Sequence, residues 1–188
     1  MEPKTKVVFP AVLLNQRCLG AGVRAKQLLG PIAVSVYAVA LYADAPAAKQ
    51  ALAAAAATAD ATATLLSGSV PLTLCLTFVR SVSSAQFLSA LNEELATRTT
   101  DKPTLEAFEQ LFRGKALDVG ATVLLSLQPA SGMDVTLLAP QTTAPPGTPD
   151  ASFASPAFAQ ALFDVYLGQR TIVSDARAAW AAGARELA

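Results

Sequence analysis

The chain contains no histidine. That absence removes Ser-His-Asp and Cys-His nucleophilic catalysis, together with the histidine-bearing zinc and non-haem iron sites. Cysteine is scarce: Cys18 and Cys75 stand far apart with no CxxC partner. This argues against a zinc site or a disulfide framework and for two free, buried thiols. Charge is also scarce, at 15 % of residues, and it cancels, with 14 basic side chains against 14 acidic. A neutral chain offers a polyanion no net attraction, so nucleic acid is not an expected partner. The longest uncharged stretches, 27–43 and 61–79, each contain Gly and Pro, and no membrane insertion is expected from them. The opening MEPKTKVVFPAVLL is interrupted by Pro10 and followed by Asn15, Gln16 and Arg17, unlike a secretory signal. No metal or cofactor motif is left.

What is present is apolar: 53 % of 188 residues, much of it alanine. That length suits one domain spanning 1–188 with a core of its own. VVFPAVLL (7–14), the segment around Cys18–Lys26, SVYAVALYA (35–43) and LTLCLTFVR (72–80) read as strands, the third of them apolar on both faces. Asp44 caps an alanine-rich helix. SSAQFLSALNEELATR (83–98) is amphipathic, with Phe87, Leu88, Leu91 and Leu95 on one stripe. TLEAFEQLF (104–112) is a second such helix, with Leu105, Phe108, Leu111 and Phe112 turned inward. ATVLLSLQP and MDVTLLAP form a hairpin about Ala130-Ser131-Gly132. A Pro/Thr-rich surface loop (139–152) follows, then a helix ending at Gly168 and a last helix capped by Ser174. The order predicts an α+β domain, not an alternating βα one.

GAGVRA (20–25) satisfies the G-x-G-x-x-A expression, with Asp44 further on. A dinucleotide loop needs a helix to start there. Gly30-Pro31 would end that helix after about two turns, too short for a βαβ crossover. Read as a turn between two antiparallel strands, Gly30-Pro31 instead sets Arg24 opposite Tyr37, on one face with Cβ atoms roughly 5 Å apart. Two readings follow. Arg24 is a surface arginine beside a core tyrosine, or the two side chains meet an anion. In the second reading a carboxylate takes two parallel bonds from the guanidinium and a third from the phenol.

The motifs GAGVRAK (20–26) and VYAVALYAD (36–44) resemble the chalcone isomerase fold family, most closely its plastid fatty-acid-binding branch. FP (9–10), TFVR (77–80), EAFEQLF (106–112) and VYLG (165–168) extend the likeness over most of the chain. The resemblance implies a chalcone isomerase-like open-faced β-sandwich, a large antiparallel sheet packed against a layer of helices. It implies non-catalytic binding of C12–C18 saturated fatty acids, with the carboxylate held by Arg24 and Tyr37. Val39, Leu41, Phe87 and Leu91 are the expected apolar wall. The alternative is a chalcone isomerase-type intramolecular lyase, but the tyrosine, lysine and asparagine of isomerases fall on Phe87, Ala90 and Glu94, and their polar pair before the final glycine on Val165 and Tyr166. A third possibility is a non-binding enhancer of the same fold. The fatty-acid-binding relatives imply the plastid stroma in a photosynthetic eukaryote; otherwise the cytoplasm is expected.

Overall fold

A computed structural model of the chain describes residues 1–27, 33–56, 58–142, 145 and 147–187. Among them a seven-stranded sheet runs in the order β1 (Val12–Leu13), β2 (Gln16–Gln27), β3 (Ala33–Ala43), β4 (Leu72–Phe78), β7 (Thr122–Gln128), β8 (Gly132–Leu138) and β9 (Ala151–Phe153). Every neighbouring pair is antiparallel. A small ribbon joins β5 (Val82–Ser83) to β6 (Ala116–Leu117). The helices are α1 (Ala45–Ala54), α2 (Ala61–Ser67), α3 (Ser84–Leu95), α4 (Lys102–Phe112), α5 (Pro156–Leu167) and α6 (Ser174–Arg185). The expected α+β class, with a large antiparallel sheet and helices on one side, is the architecture that forms.

Period-two alternation divides β3 between two cores. Tyr37, Val39 and Leu41 face the helices, with Leu74, Leu76, Val123 and Leu125 beside them. Ala40 and Tyr42 face outward with Cys75 and Leu124, under Phe9, Leu13 and Cys18. The Tyr42 hydroxyl donates to the Pro10 carbonyl at 2.9 Å, which ties the N-terminal segment over this outer face. Both cysteines lie here as free thiols, Cys75 buried and Cys18 partly so.

Two β-bulges shape the β2–β3 ladder. Between Cys18 and Gly20 the extra residue is Leu19, turned into the helix-side core at 4 % exposure. Gly20 follows at φ +140°, a conformation that favours glycine. Between Arg24 and Ala25 the extra residue is Val36 of β3. α6 crosses β2 on the inner side, where Trp180 Nε1 donates to the Gly20 carbonyl at 3.0 Å. A Cβ at Gly22 would lie 2.6 Å from Ala176 Cα, so glycine is what lets helix and strand approach.

The sequence reading differs from the structure in several places. Residues 7–10 are not a strand; Pro10 allows pairing only at Val12–Leu13. Ser174 is the first helical residue of α6, and the N-cap is Val173, whose hydrocarbon side chain has no acceptor to offer; its own N–H donates to Thr171 Oγ1. The Pro/Thr-rich stretch ends in strand β9. The proposed Gly30-Pro31 turn lies outside the described residues. Helix α2 was not anticipated: seven residues carry too little periodicity to announce a helix.

α2 is held by its cap. Asp60 accepts from the Thr62 and Ala63 backbone amides and binds Arg177 of α6. Burial raises the Asp60 carboxyl, but hydrogen bonds from Arg177, Thr62 and Ala63 outweigh it and hold the group at about 2. A value depressed below the unfolded ~3.9 stabilises the fold above that pH, and the contribution is lost as pH falls through the folded value. Asparagine still caps a helix. Asp60→Asn is therefore expected to lower the thermal midpoint at neutral pH, the deficit narrowing between about pH 4 and about pH 2. A thermal melt series followed by circular dichroism reads this, and a deficit independent of pH excludes the ion pair as its cause.

Candidate functional site

Alternation along GAGVR puts Gly20, Gly22 and Arg24 on the helix side of β2. The first two admit α6, and the third extends beyond its N-terminus. Arg24 pairs with Tyr37. Its Nη1 donates to the Ile172 carbonyl at 3.1 Å, in the connection between α5 and α6. A guanidinium has five donors, more than this bond uses. Tyr37 is almost fully buried, and its hydroxyl lies 3.2 Å from that of Tyr166 on α5. The Tyr37 ring packs edge-on against Phe78 and Phe87, with centroids 5.4 and 6.4 Å away.

These groups meet at a cavity of about 350 Å³ between the end of the sheet and α3. Its apolar wall is Val34 and Val36 from β3, Val82, Ile172, and Phe87 with Leu91 from α3. The Val36 bulge makes this wall. It pairs Ser35 with Ala25 on the far face and gives the cavity Val34 and Val36 instead. The polar lining includes Arg24, Lys26 and Arg80, with Ser81 and Gln86, and no carboxylate among the described residues.

Burial pushes the Tyr37 hydroxyl up to about 12, against the opposing effects of the Tyr166 hydrogen bond and the Arg24 charge. Burial also drives Tyr166 well above the usual tyrosine value, and Tyr37 adds to the rise while Arg24 opposes it. Both phenols therefore stay protonated at neutral pH and serve as hydrogen-bond donors. With a cation beside them and apolar walls around, the arrangement suits an anion attached to a hydrocarbon.

The structure brings Arg24, Tyr37, Phe87 and Leu91 to one cavity. Val39 and Leu41 lie elsewhere: both are fully buried in the helix-side core, outside the cavity lining. Phe87 and Ala90, at positions matched to isomerase side chains, present hydrocarbon to the cavity. Glu94 is not in the lining and pairs with Arg98 at 2.7 Å. Tyr166, Lys26 and Arg80 were not selected from sequence as site residues. Tyr166 carried one usable signal: a lone phenol on a mostly apolar helix requires a buried partner for its hydroxyl.

The model of the chalcone isomerase-like family matches residues 15–179. Among solved structures, the crystal structure of a fatty-acid binding protein of Arabidopsis thaliana is similar, with a TM-score of 0.83 and 24 % identity over 100 % of this chain and 97 % of that one. At that identity the likeness concerns the fold. No protein with a curated description matches the chain. Among the described residues, no helix is long and apolar enough to cross a membrane.

Proposed function

The chain belongs to the chalcone isomerase-like family, and from that premise we propose that it binds long-chain fatty acids without transforming them. The carboxylate sits between Arg24 and Tyr37, and the tail lies along Val34, Val36, Phe87 and Leu91. One observation carries this reading: a cation and a protonated phenol share a face at an apolar cavity with no acid in its described lining. The solved relative's description as a fatty-acid binding protein supports it.

The energetics divide by part of the ligand. A twelve-carbon tail offers on the order of 8 kcal/mol of transfer free energy, less several kcal/mol for lost freedom. The head group adds roughly 1.5–3 kcal/mol. The tail therefore supplies affinity, and Arg24 with Tyr37 supplies orientation and selection for an acid. A cavity of about 350 Å³ is at the small end for a ligand site, which makes laurate the first probe within C12–C18. In a photosynthetic eukaryote the proposed setting is the plastid stroma, in support of fatty-acid metabolism.

Calorimetric titration with laurate is expected to give micromolar binding at neutral pH. With the Tyr37 hydroxyl raised to about 12, affinity should hold flat from pH 7 to about pH 10, where an ordinary tyrosine would have begun to lose its proton. Absence of binding across C12–C18 rejects the reading. Acceleration of chalcone cyclisation by the purified protein would move it to the intramolecular lyase class.

A further inference from the structure

The cavity carries more positive charge than one carboxylate requires. Arg24 and Lys26 are alternate residues of β2 and share its inner side. Arg80 lies two residues past β4, next to Val79, whose amide donates to the Val36 carbonyl at 3.0 Å. That bond fixes Arg80 at the same end of the sheet as Lys26, with Val34 of β3 between them. Lys26 and Arg80 are both exposed at the rim, whereas Arg24 is half-buried. No salt bridge among the described residues engages any of the three. The chain as a whole is neutral, so three cations and no acid among the described residues around one opening is a local asymmetry.

We propose that the rim formed by Lys26 and Arg80 adapts the cavity to single-chain amphiphiles whose head group is a doubly charged phosphomonoester. This inference rests on the fatty-acid reading for the placement of the tail and goes beyond it in the head group. A phosphomonoester has three terminal oxygens, and its second ionisation falls near pH 6. Arg24 takes one edge of the group through its fork, the Tyr37 hydroxyl donates from below, and the rim cations meet the remaining charge. The charged or titratable groups facing the head-group position are Arg24 and Lys26 from β2, Tyr37 from β3, Arg80 after β4 and Tyr166 from α5. The cavity-facing residues of α3 carry no charge. None of these tyrosines ionises below neutral pH, so a change in affinity between pH 5.5 and pH 7.5 reports the ligand.

The test compares n-decyl phosphate with decanoate below micelle formation, by calorimetry on the full chain. The phosphate is expected to bind roughly fivefold to twentyfold more tightly at pH 7.5, the scale for two exposed charge pairs. The ratio should shrink toward one at pH 5.5, where the phosphate is mostly a monoanion and decanoate is still mostly ionised. Lys26→Ala with Arg80→Ala should abolish the preference by lowering the affinity for the phosphate more than that for decanoate. Lys26→Arg should retain it. Both sites are exposed, so folding is preserved and is checked by the thermal midpoint. Decanoate binding with no phosphate preference, or a preference that survives the double substitution, overturns this inference and leaves the fatty-acid reading intact. Failure of both ligands overturns this inference, and the fatty-acid reading falls with it where laurate also fails to bind.

Discussion

Arg24→Ala lowers the affinity for laurate by about tenfold to a hundredfold and leaves the fold in place. The magnitude follows from losing a charge-assisted contact, roughly 1.5–3 kcal/mol, with each 1.4 kcal/mol worth a factor of ten. The fold is expected to survive because Arg24 is half-buried at the end of the sheet and, among the described residues, its side chain makes one hydrogen bond, to the Ile172 carbonyl. The thermal midpoint should move by no more than a few degrees. Arg24→Lys separates charge from geometry: an ammonium keeps the attraction but not the two parallel donors, so its affinity should fall between the two. Tyr37→Phe removes a neutral donor and should cost less than Arg24→Ala. It also strands the Tyr166 hydroxyl, so part of its effect should appear in stability. Micromolar binding that persists unchanged in Arg24→Ala removes the anchor from the proposal, whatever the chain then binds.

Gly22→Ala acts on the scaffold that positions Arg24. The added methyl would lie 2.6 Å from both Cα and Cβ of Ala176. The obstruction is the backbone of α6, and Gly22 is held in the β2–β3 ladder opposite Val39. Neither side yields by turning a side chain. Overpacking of this kind typically costs 1–3 kcal/mol, and here we expect about 3 kcal/mol. For a chain of this length that is a fall of roughly 6–12 °C in thermal midpoint. Ligand binding should weaken as well, because α6 and the Ile172 carbonyl at its approach would shift away from Arg24. A midpoint within one or two degrees of the parent would mean that α6 can retreat from β2 at little cost.

The part of the site legible in sequence is the part that is local. Arg24 and Tyr37 belong to consecutive strands, so their pairing could be read from an assumed turn, but the ladder nearest the connection runs one residue off that register and the Val36 bulge is what restores it. The glycines of GAGVR were legible only as something other than a phosphate loop; their partner, α6, comes from the far end of the chain. Tyr166 is separated from Tyr37 by 129 positions, and no periodicity connects them. Val39 and Leu41 were placed on the cavity side by extending the face of Tyr37 away from the bulge. The helices close over the sheet there, and the space opens in the other direction, past Val36. The architecture, a large antiparallel sheet packed against a layer of helices, was carried by the family likeness. Strand ends and the short helix α2 depended on caps and packing that a linear pattern does not record.

The Val36 bulge also bears on how such a protein changes over time. It divides the inner side of β3 into two reading frames. From Tyr37 onward, Val39 and Leu41 belong to the core. Ahead of it, Val34 and Val36 wall the cavity, and Ser35 has been moved to the opposite side. Val36 packs against that core, whereas Val34 does not. A lineage carrying this extra residue can revise what the cavity admits at Val34 while the core that keeps the chain folded is inherited unaltered.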